Sequence, residues 1–258
     1  HYASGTQWRG PDGRAPIRRL LSLFGGFTGY YGTYSSACYS AATPYITGIG
    51  SNSVDDMLNS RFVVLFSDNP VVTRNGGDGS GYYAMKAKEN GTRFISVDPV
   101  LSDSAVALDA DWIPINPGTD VALIAALAYV MVQEDIYDRE FMATHSVGFD
   151  ESTLPEGAPP NSSWMAYIMG DADGVAKTPE WAAPITGIPA TRIVQLAREI
   201  ALTKPCCLIQ GLGWQRRAYG EQPVRALPIL AAMSGNFGIP GGGTGMRLKK
   251  AKNRLMRT

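Results

Sequence analysis

Five consecutive apolar residues, Phe62 to Phe66, run without a polar interruption and stop abruptly at Ser67-Asp68-Asn69-Pro70. A run that short, bounded by turn residues, predicts a buried strand. "TRFISVDP" predicts a second strand ending at Asp98-Pro99, and "DADWIPINPGTD" a short third strand with its loop. "PCCLIQGLG" predicts a fourth, running into Gly211-Leu212-Gly213-Trp214.

Helical segments lie between these strands. "RAPIRRLLSLF" reads as a short amphipathic helix, and "GYYAMKAKENG" as a helix stopped by Gly91. "TDVALIAALAYVMVQEDI" is apolar almost all round, which predicts a buried helix with Thr119 or Asp120 capping its first turn. "IPATRIVQLAREIALTK" places Ile193, Leu196, Ala197 and Ile200 on one face. A last helix holds Pro228, expected to kink it, and ends in the glycine turn Gly241 to Gly243. "ESTLPEGAPPNSS" reads as a surface loop.

Strands alternating with helices predict an α/β fold: a doubly wound, mostly parallel sheet flanked by helices. In such folds ligands bind beyond the carboxyl ends of the strands. The polar and glycine-rich strand ends, with Pro117-Gly118-Thr119-Asp120 at a helix N-terminus, therefore form the candidate site. Helix N-termini and glycine backbones suit pyrophosphate. Asp98 or Asp120 can accept from the N1–H and N2–H₂ edge of a guanine. Neither GxGxxG nor GxxxxGK[ST] occurs, so the common dinucleotide and P-loop readings lose ground.

Composition excludes further classes. Lys+Arg and Asp+Glu are both 23 of the 258 residues, a balance that argues against nucleic-acid binding. The 3 cysteines (Cys38, Cys206, Cys207) predict no disulfide framework and show no zinc or iron–sulfur spacing. No apolar run approaches the ~18 residues of a membrane span. His1 and His145 are poor catalytic candidates, and no Ser/His/Asp set is visible.

"LFGGFTGYYGTYSSACYS", residues 23–40, has no simple period; by itself it reads as a turn-rich connector with a free thiol. Six segments in order change that reading: "YGTYSSA", "VVLFSDNPVVTR", "ISVDPVLSDSAVALDADWIPINPGTDVALIAALAYV", "ITGIPATRIVQLAREIA", "IQGLGWQRRAYGE" and "LAAMSGNFGIPGGGTG". Together they resemble the molybdopterin oxidoreductases of the dimethyl sulfoxide reductase family, above all the catalytic subunits of its respiratory members. The resemblance spans about residues 14–247.

The resemblance implies molybdenum held between two molybdopterin guanine dinucleotides, with Ser35 as the protein's ligand to the metal. Ser36, by a slip of one residue, and Cys38 are the competing ligands. The glycines Gly25, Gly26, Gly29 and Gly32 would let backbone approach the pterins. Cofactor contacts carry over onto Ser67, Asp68, Asn69 and Pro70, onto Asp98, onto Gly118, Thr119 and Asp120, and onto Gly213, Trp214, Gln215 and Arg216. The family usually has a glycine where this chain has Ser67, which leaves close backbone approach there in doubt. Asp98 reads equally as turn chemistry, the 118–120 segment as helix capping, and Arg216 with Arg217 as surface charge.

The implied activity is oxygen-atom transfer from dimethyl sulfoxide or a related S- or N-oxide in anaerobic respiration. A selenate or other oxyanion reductase of the same family is an alternative; a non-catalytic nucleotide-binding module is another. The segment reads as a central fragment, inactive alone: residues 1–50 hold the metal-site segment, 51–203 a Rossmann-like dinucleotide domain, 204–247 the return to the cofactor domain, and 248–258 a tail. Pieces of a second α/β domain would flank the sheet. A [4Fe–4S] cluster belongs to the part preceding it. Expected partners are an iron–sulfur electron-transfer subunit and a membrane anchor, and the expected location is the periplasmic side of a bacterial or archaeal membrane, after export.

Overall fold

The structure, a computed structural model, describes residues 14–28, 35–48, 52–73 and 79–244. His1, Gly29, Gly32 and the tail 248–258 lie outside the described residues. The chain divides into two compact units, residues 1–34 and 35–258. The first contains helix α1 (Arg14–Leu23), closed by a turn in which the Gly26 N–H donates to the Leu21 carbonyl at 2.9 Å.

The second unit opens with α2 (Ala37–Ile46), followed by a 3₁₀ turn and strand β1 (Phe62–Phe66). Helices α3 (Pro70–Thr73) and α4 (Ser80–Glu89) lead to β2 (Arg93–Val97); α5 (Asp103–Ala107) leads to β3 (Asp111–Ile113). Five helices come next: α6 (Asp120–Gln133), α7 (Arg139–His145), α8 (Trp164–Met169), α9 (Pro179–Thr186) and α10 (Ala190–Leu202). Strand β4 (Cys206–Gln210) and helix α11 (Glu221–Met233) complete the unit.

All four strands are parallel, in the order β3-β2-β1-β4. Strand β1 is wholly buried because both faces of the sheet are covered, which is why its sequence does not alternate. Phe62, Val64 and Phe66 enter the larger core with residues of α6, α10 and α11. Val63 and Leu65 enter a smaller core with Ala84 and Ala87 of α4 and Met57. Helix α6 is enclosed by α8, α9, α10 and α11, and Leu123 to Ala128 have no exposed surface. Each such Leu or Ile contributes about 1.5–3 kcal/mol through burial.

The predicted face of α10, Ile193 with Leu196, Ala197 and Ile200, is buried. Helix α11 continues through Pro228, whose ring is buried in the core. The sequence reading did not anticipate α2, the short α3, α5 and α7, or α8 and α9. Helices α8 and α9 are short but capped in the usual way: Ser163 accepts from the Ala166 N–H and Thr178 from the Trp181 N–H, both at 3.1 Å. The expected surface loop is ordered at both ends, since the Glu151 carboxylate accepts from the Asn161 N–H and the Ser163 hydroxyl. The glycine turn pins the return to the sheet: Gly241 accepts from the Ser60 hydroxyl at 2.7 Å, and Gly243 from the Leu208 N–H at 2.9 Å.

On the outer side of α10, Glu199 accepts from Arg192 and Arg93, each at 3.0 Å, and Arg192 reaches Asp111 at 2.6 Å. This network ties α10 to β2 and β3. Burial raises the Glu199 carboxyl, but the hydrogen bonds from Arg192 and Arg93 outweigh it, and the net shift is downward. A depressed carboxyl stabilises the fold above its unfolded-state pKa and loses that contribution as pH falls through its folded-state pKa. Stability of the chain should therefore fall on acidification below the usual carboxylate range, and Glu199→Gln should flatten that part of the curve. Denaturant melts at stepped pH check this; identical acid limbs for the two proteins would refute it.

Candidate functional site

The crossover from β1 to β2 carries α4 over the Val63/Leu65 face, and the crossover from β3 to β4 carries α6 and α10 over the opposite face. After β4 the chain runs to α11 on that opposite face, so it leaves adjacent strands β1 and β4 in opposite directions. That divergence opens a crevice at their carboxyl ends, where α/β sheets bind ligands.

The two strand ends touch backbone to backbone. The Gly211 N–H donates to the Phe66 carbonyl at 2.8 Å, and a Cβ on Gly211 would lie 1.9 Å from the Ser67 carbonyl oxygen and 2.5 Å from the Asp68 nitrogen. Only glycine fits there. Ser67 takes φ 48°, in the left-handed region that costs a side-chain-bearing residue roughly 1–2 kcal/mol. The resemblance places a glycine at this position, and the φ supplies the physical reason.

The other sequence candidates gather along the same edge. Asp68 is buried. The Asn69 carboxamide oxygen accepts from the Ser104 hydroxyl, which itself accepts from the Val71 N–H at 2.9 Å, while Pro70 opens α3. Asn69 is thereby tied to the start of α5. Asp98 accepts from the Val100 N–H at 3.0 Å, the turn chemistry noted as its simpler reading, and burial raises its carboxyl. Gly118 takes φ 85°, and the Thr119 hydroxyl donates to the Asn116 carbonyl at 2.7 Å instead of capping α6. Asp120, the first residue of α6, is 2% exposed, and burial raises its carboxyl above the ordinary range against the pull of Arg217.

Arg217, which the sequence reading named only as surface charge, is the arginine that meets the candidate residues. Its guanidinium lies 3.6 Å from the Asp120 carboxylate and would be struck at 3.2 Å by a Cβ on Gly118, while its Nε donates to the Trp214 carbonyl at 3.1 Å. Arg216, the residue singled out from the sequence, and Arg217 are both exposed, and it is Arg217 that pairs with Asp120. No sequence signal separates two adjacent arginines; the loop's path does. Gly213 borders Ser67, whereas Trp214 turns inward, stacks on Phe66 at 5.5 Å and is 2% exposed.

The segment beginning at Ser35 sits against the same β4 loop. The Tyr39 hydroxyl donates to the Gly211 carbonyl at 2.6 Å and accepts from the Trp214 indole N–H at 2.7 Å. Burial raises the Tyr39 phenol well above its ordinary range, against the lowering effect of the Trp214 hydrogen bond. Gln215 donates from Nε2 to the Ser35 carbonyl at 3.0 Å and accepts on Oε1 from the Cys38 N–H at 3.3 Å. The Cys38 thiol donates to the Gln215 carbonyl at 3.2 Å. Burial, then the nearby Glu221, raise that thiol, so Cys38 is held as a thiol. Ser35 is exposed at the head of α2, and Ser36 is the N-cap residue. His145 ends α7, stacked on Phe141, apart from all of these residues in sequence and element.

Two substitutions probe the crevice. Gly211→Ala should cost about 2–3 kcal/mol, the scale of an overpacked contact that side-chain movement cannot relieve. Ser67→Gly should stay within about 1 kcal/mol of the native chain, because relief at φ 48° offsets the added unfolded-state entropy. Denaturant unfolding reads both; a native midpoint for Gly211→Ala would refute the contact.

Comparison with known proteins fits this arrangement. The family model described as molybdopterin oxidoreductase matches residues 14–257. The chain is 47% identical over 258 residues to the dimethyl sulfoxide reductase DmsA of Escherichia coli, covering 96% of this chain and 31% of the relative. It is 48% identical over 232 residues to the probable dimethyl sulfoxide reductase chain YnfF of the same organism, covering 89% and 29%. It is 34% identical over 244 residues to a trimethylamine-N-oxide reductase of Haemophilus influenzae, covering 90% and 28%. The acetylene hydratase of Pelobacter acetylenicus shares the fold, with a TM-score of 0.62 at 22% identity over 86% of this chain and 28% of that one. The chain therefore spans less than a third of the length of these relatives, and it belongs to the molybdopterin oxidoreductase family.

Proposed function

We propose that this chain forms the central part of a molybdenum reductase catalytic subunit that removes an oxygen atom from dimethyl sulfoxide or a related S- or N-oxide in anaerobic respiration. The observation that carries the reading is the placement of Ser35. Its turn is bound to the loop that follows β4, beside the crevice where β1 and β4 diverge. The relatives named for sulfoxide and N-oxide reduction support the substrate class.

The residues present fit the cofactor, read here as molybdenum with two molybdopterin guanine dinucleotides. A bulky planar group needs bare backbone, and the exposed Gly213, beside Ser67, supplies it where β1 and β4 diverge, while Gly211 is taken up by its contact with the Ser67 main chain. A guanine needs a carboxylate that accepts from its N1–H and N2–H₂ edge, and Asp120 and Asp98 are the candidates. The Arg217 guanidinium keeps positive charge beside Asp120. Ser35 would give the metal a hard oxygen ligand, which suits a high-valent ion better than thiolate. Cys38 is the weaker candidate, since its thiol is raised by burial and bonded to the Gln215 carbonyl.

When bound, the molybdenum would supply the two-electron couple for oxygen-atom transfer. The chain's part is to fix the ligand, hold both nucleotide ends and keep the crevice walls rigid. Electrons would arrive from a [4Fe–4S] centre and an iron–sulfur subunit beyond this segment, with a membrane anchor holding the complex on the periplasmic face.

The test is made on the full-length protein expressed with cofactor synthesis, native against Ser35→Ala. Native protein should hold molybdenum with about two releasable GMP per chain. The variant should lose more than about 100-fold in sulfoxide reduction, beyond the effect of an outer-shell change. Native protein without metal and GMP would leave a nucleotide module at most. Full activity in the variant would move the ligand to Ser36 or Cys38.

A further inference from the structure

Helix α2 begins without the cap its sequence offers. Ser36 occupies the N-cap position, yet its side chain makes no capping bond. An N-cap side chain normally accepts from the backbone N–H two or three residues on. Here the N–H two residues on, that of Cys38, is taken by Gln215 Oε1, 177 residues away in sequence. The same carboxamide donates through Nε2 to the Ser35 carbonyl and, at 3.4 Å, to the Leu212 carbonyl. One planar amide therefore grips both ends of the Ser35–Cys38 turn and joins it to the loop after β4.

The grip is itself fixed. Gln215 is 2% exposed, so its side chain has little room to rotate. Its carbonyl receives the Cys38 thiol, adding a third link between the two segments. A Cβ on Gly220 would lie 2.1 Å from that carbonyl, so the loop closes tightly behind Gln215. On the other side, Arg217 Nε is bonded to the Trp214 carbonyl at 3.1 Å. Serine at the metal is one short side chain with a single χ angle before its oxygen. Where that oxygen sits is set almost wholly by the main chain at residue 35, and Gln215 is bonded to that main chain.

We propose that Gln215 is a positioning residue: it holds the Ser35 backbone, and through it the Ser35 oxygen, at a fixed place over the crevice. The proposal rests on the reading of Ser35 as the metal ligand. It assigns to Gln215 a task different from direct cofactor contact, and different from capping α2 for stability alone.

The test uses the full-length holoprotein with three variants: Gln215→Glu, Gln215→Ala and Ser35→Ala. Gln215→Glu keeps the size and the acceptor for the Cys38 N–H but replaces the donor to Ser35 with a carboxylate oxygen. Gln215→Ala removes both bonds. Three readouts are taken: amide hydrogen exchange of the peptide covering residues 35–39, the molybdenum(V) spin-resonance signal, and kcat and KM separately.

Exchange of that peptide should quicken about tenfold in both Gln215 variants, the scale of one lost net hydrogen bond, while strands β1 and β4 exchange as in the native protein. The metal signal should change, as it should in Ser35→Ala. The value of kcat should fall about 10–100-fold with KM within about threefold, the effect of a reacting centre displaced by an ångström or less. Native exchange at residues 35–39 would overturn the grip. Faster exchange with a native metal signal and kcat within about twofold of native would leave Gln215 a helix cap and overturn its positioning role. A native metal signal in Ser35→Ala would overturn the ligand reading and the positioning role with it, while the exchange result would still stand as a property of the fold.

Discussion

The approach of two backbones at the carboxyl ends of β1 and β4 sets the terms for everything around it. Gly211 sits so close to the Ser67 carbonyl and the Asp68 nitrogen that no side chain can stand between them. Ser67 must bend into the left-handed region for the chain to turn away toward α3. The loop after β4 turns the other way, toward α11. Beyond that contact the two loops diverge, which marks the switch point at which α/β sheets bind ligands. Asp98 at the end of β2 and Asp120 at the start of α6 add carboxyl groups along the same side of the sheet.

That loop is also the anchor for α2. Tyr39 reaches the Gly211 carbonyl, Trp214 reaches Tyr39, and Gln215 holds the turn at Ser35. Phe66 stacks on Trp214, so the last residue of β1 braces the ring that braces Tyr39. The buried hydrogen bonds here are worth more than their surface counterparts, because breaking one strands a desolvated partner. A segment distant in sequence is thus locked to the sheet by polar contacts, and the apolar contact of Tyr39 and Ala42 with Val224 of α11 completes the seat.

The electrostatics of the site follow from burial. Asp98, Asp120, Cys38 and Tyr39 are all shifted toward their neutral forms, with desolvation the leading cause in each. Asp120 alone among them has a guanidinium beside it, from Arg217. The outer network on α10 runs the opposite way: Glu199 has two arginines, and its carboxyl is held low. Carboxyl groups are therefore tuned upward at the strand ends and downward on the outside of the fold.

Much of the fold was legible in the chain. The uninterrupted run Phe62 to Phe66 implied cover on both faces, the all-round apolar α6 implied enclosure, and the strand–helix alternation implied parallel pairing. The ordered motifs carried the family and pointed to Ser35. Local sequence could not supply α2, whose glycine-rich approach and internal Pro44 give a poor helix signal; packing on α11 and the bonds from Gln215 overcome that weak propensity. Nor could it separate Arg217 from Arg216, both of them exposed, since only the path of the loop brings the Arg217 guanidinium to Asp120. Hydrophobic pattern and glycine placement are properties of neighbouring residues and can be read in order. Which distant polar groups meet depends on how the folded sheet brings its loops together, and that was decided by the tertiary structure alone.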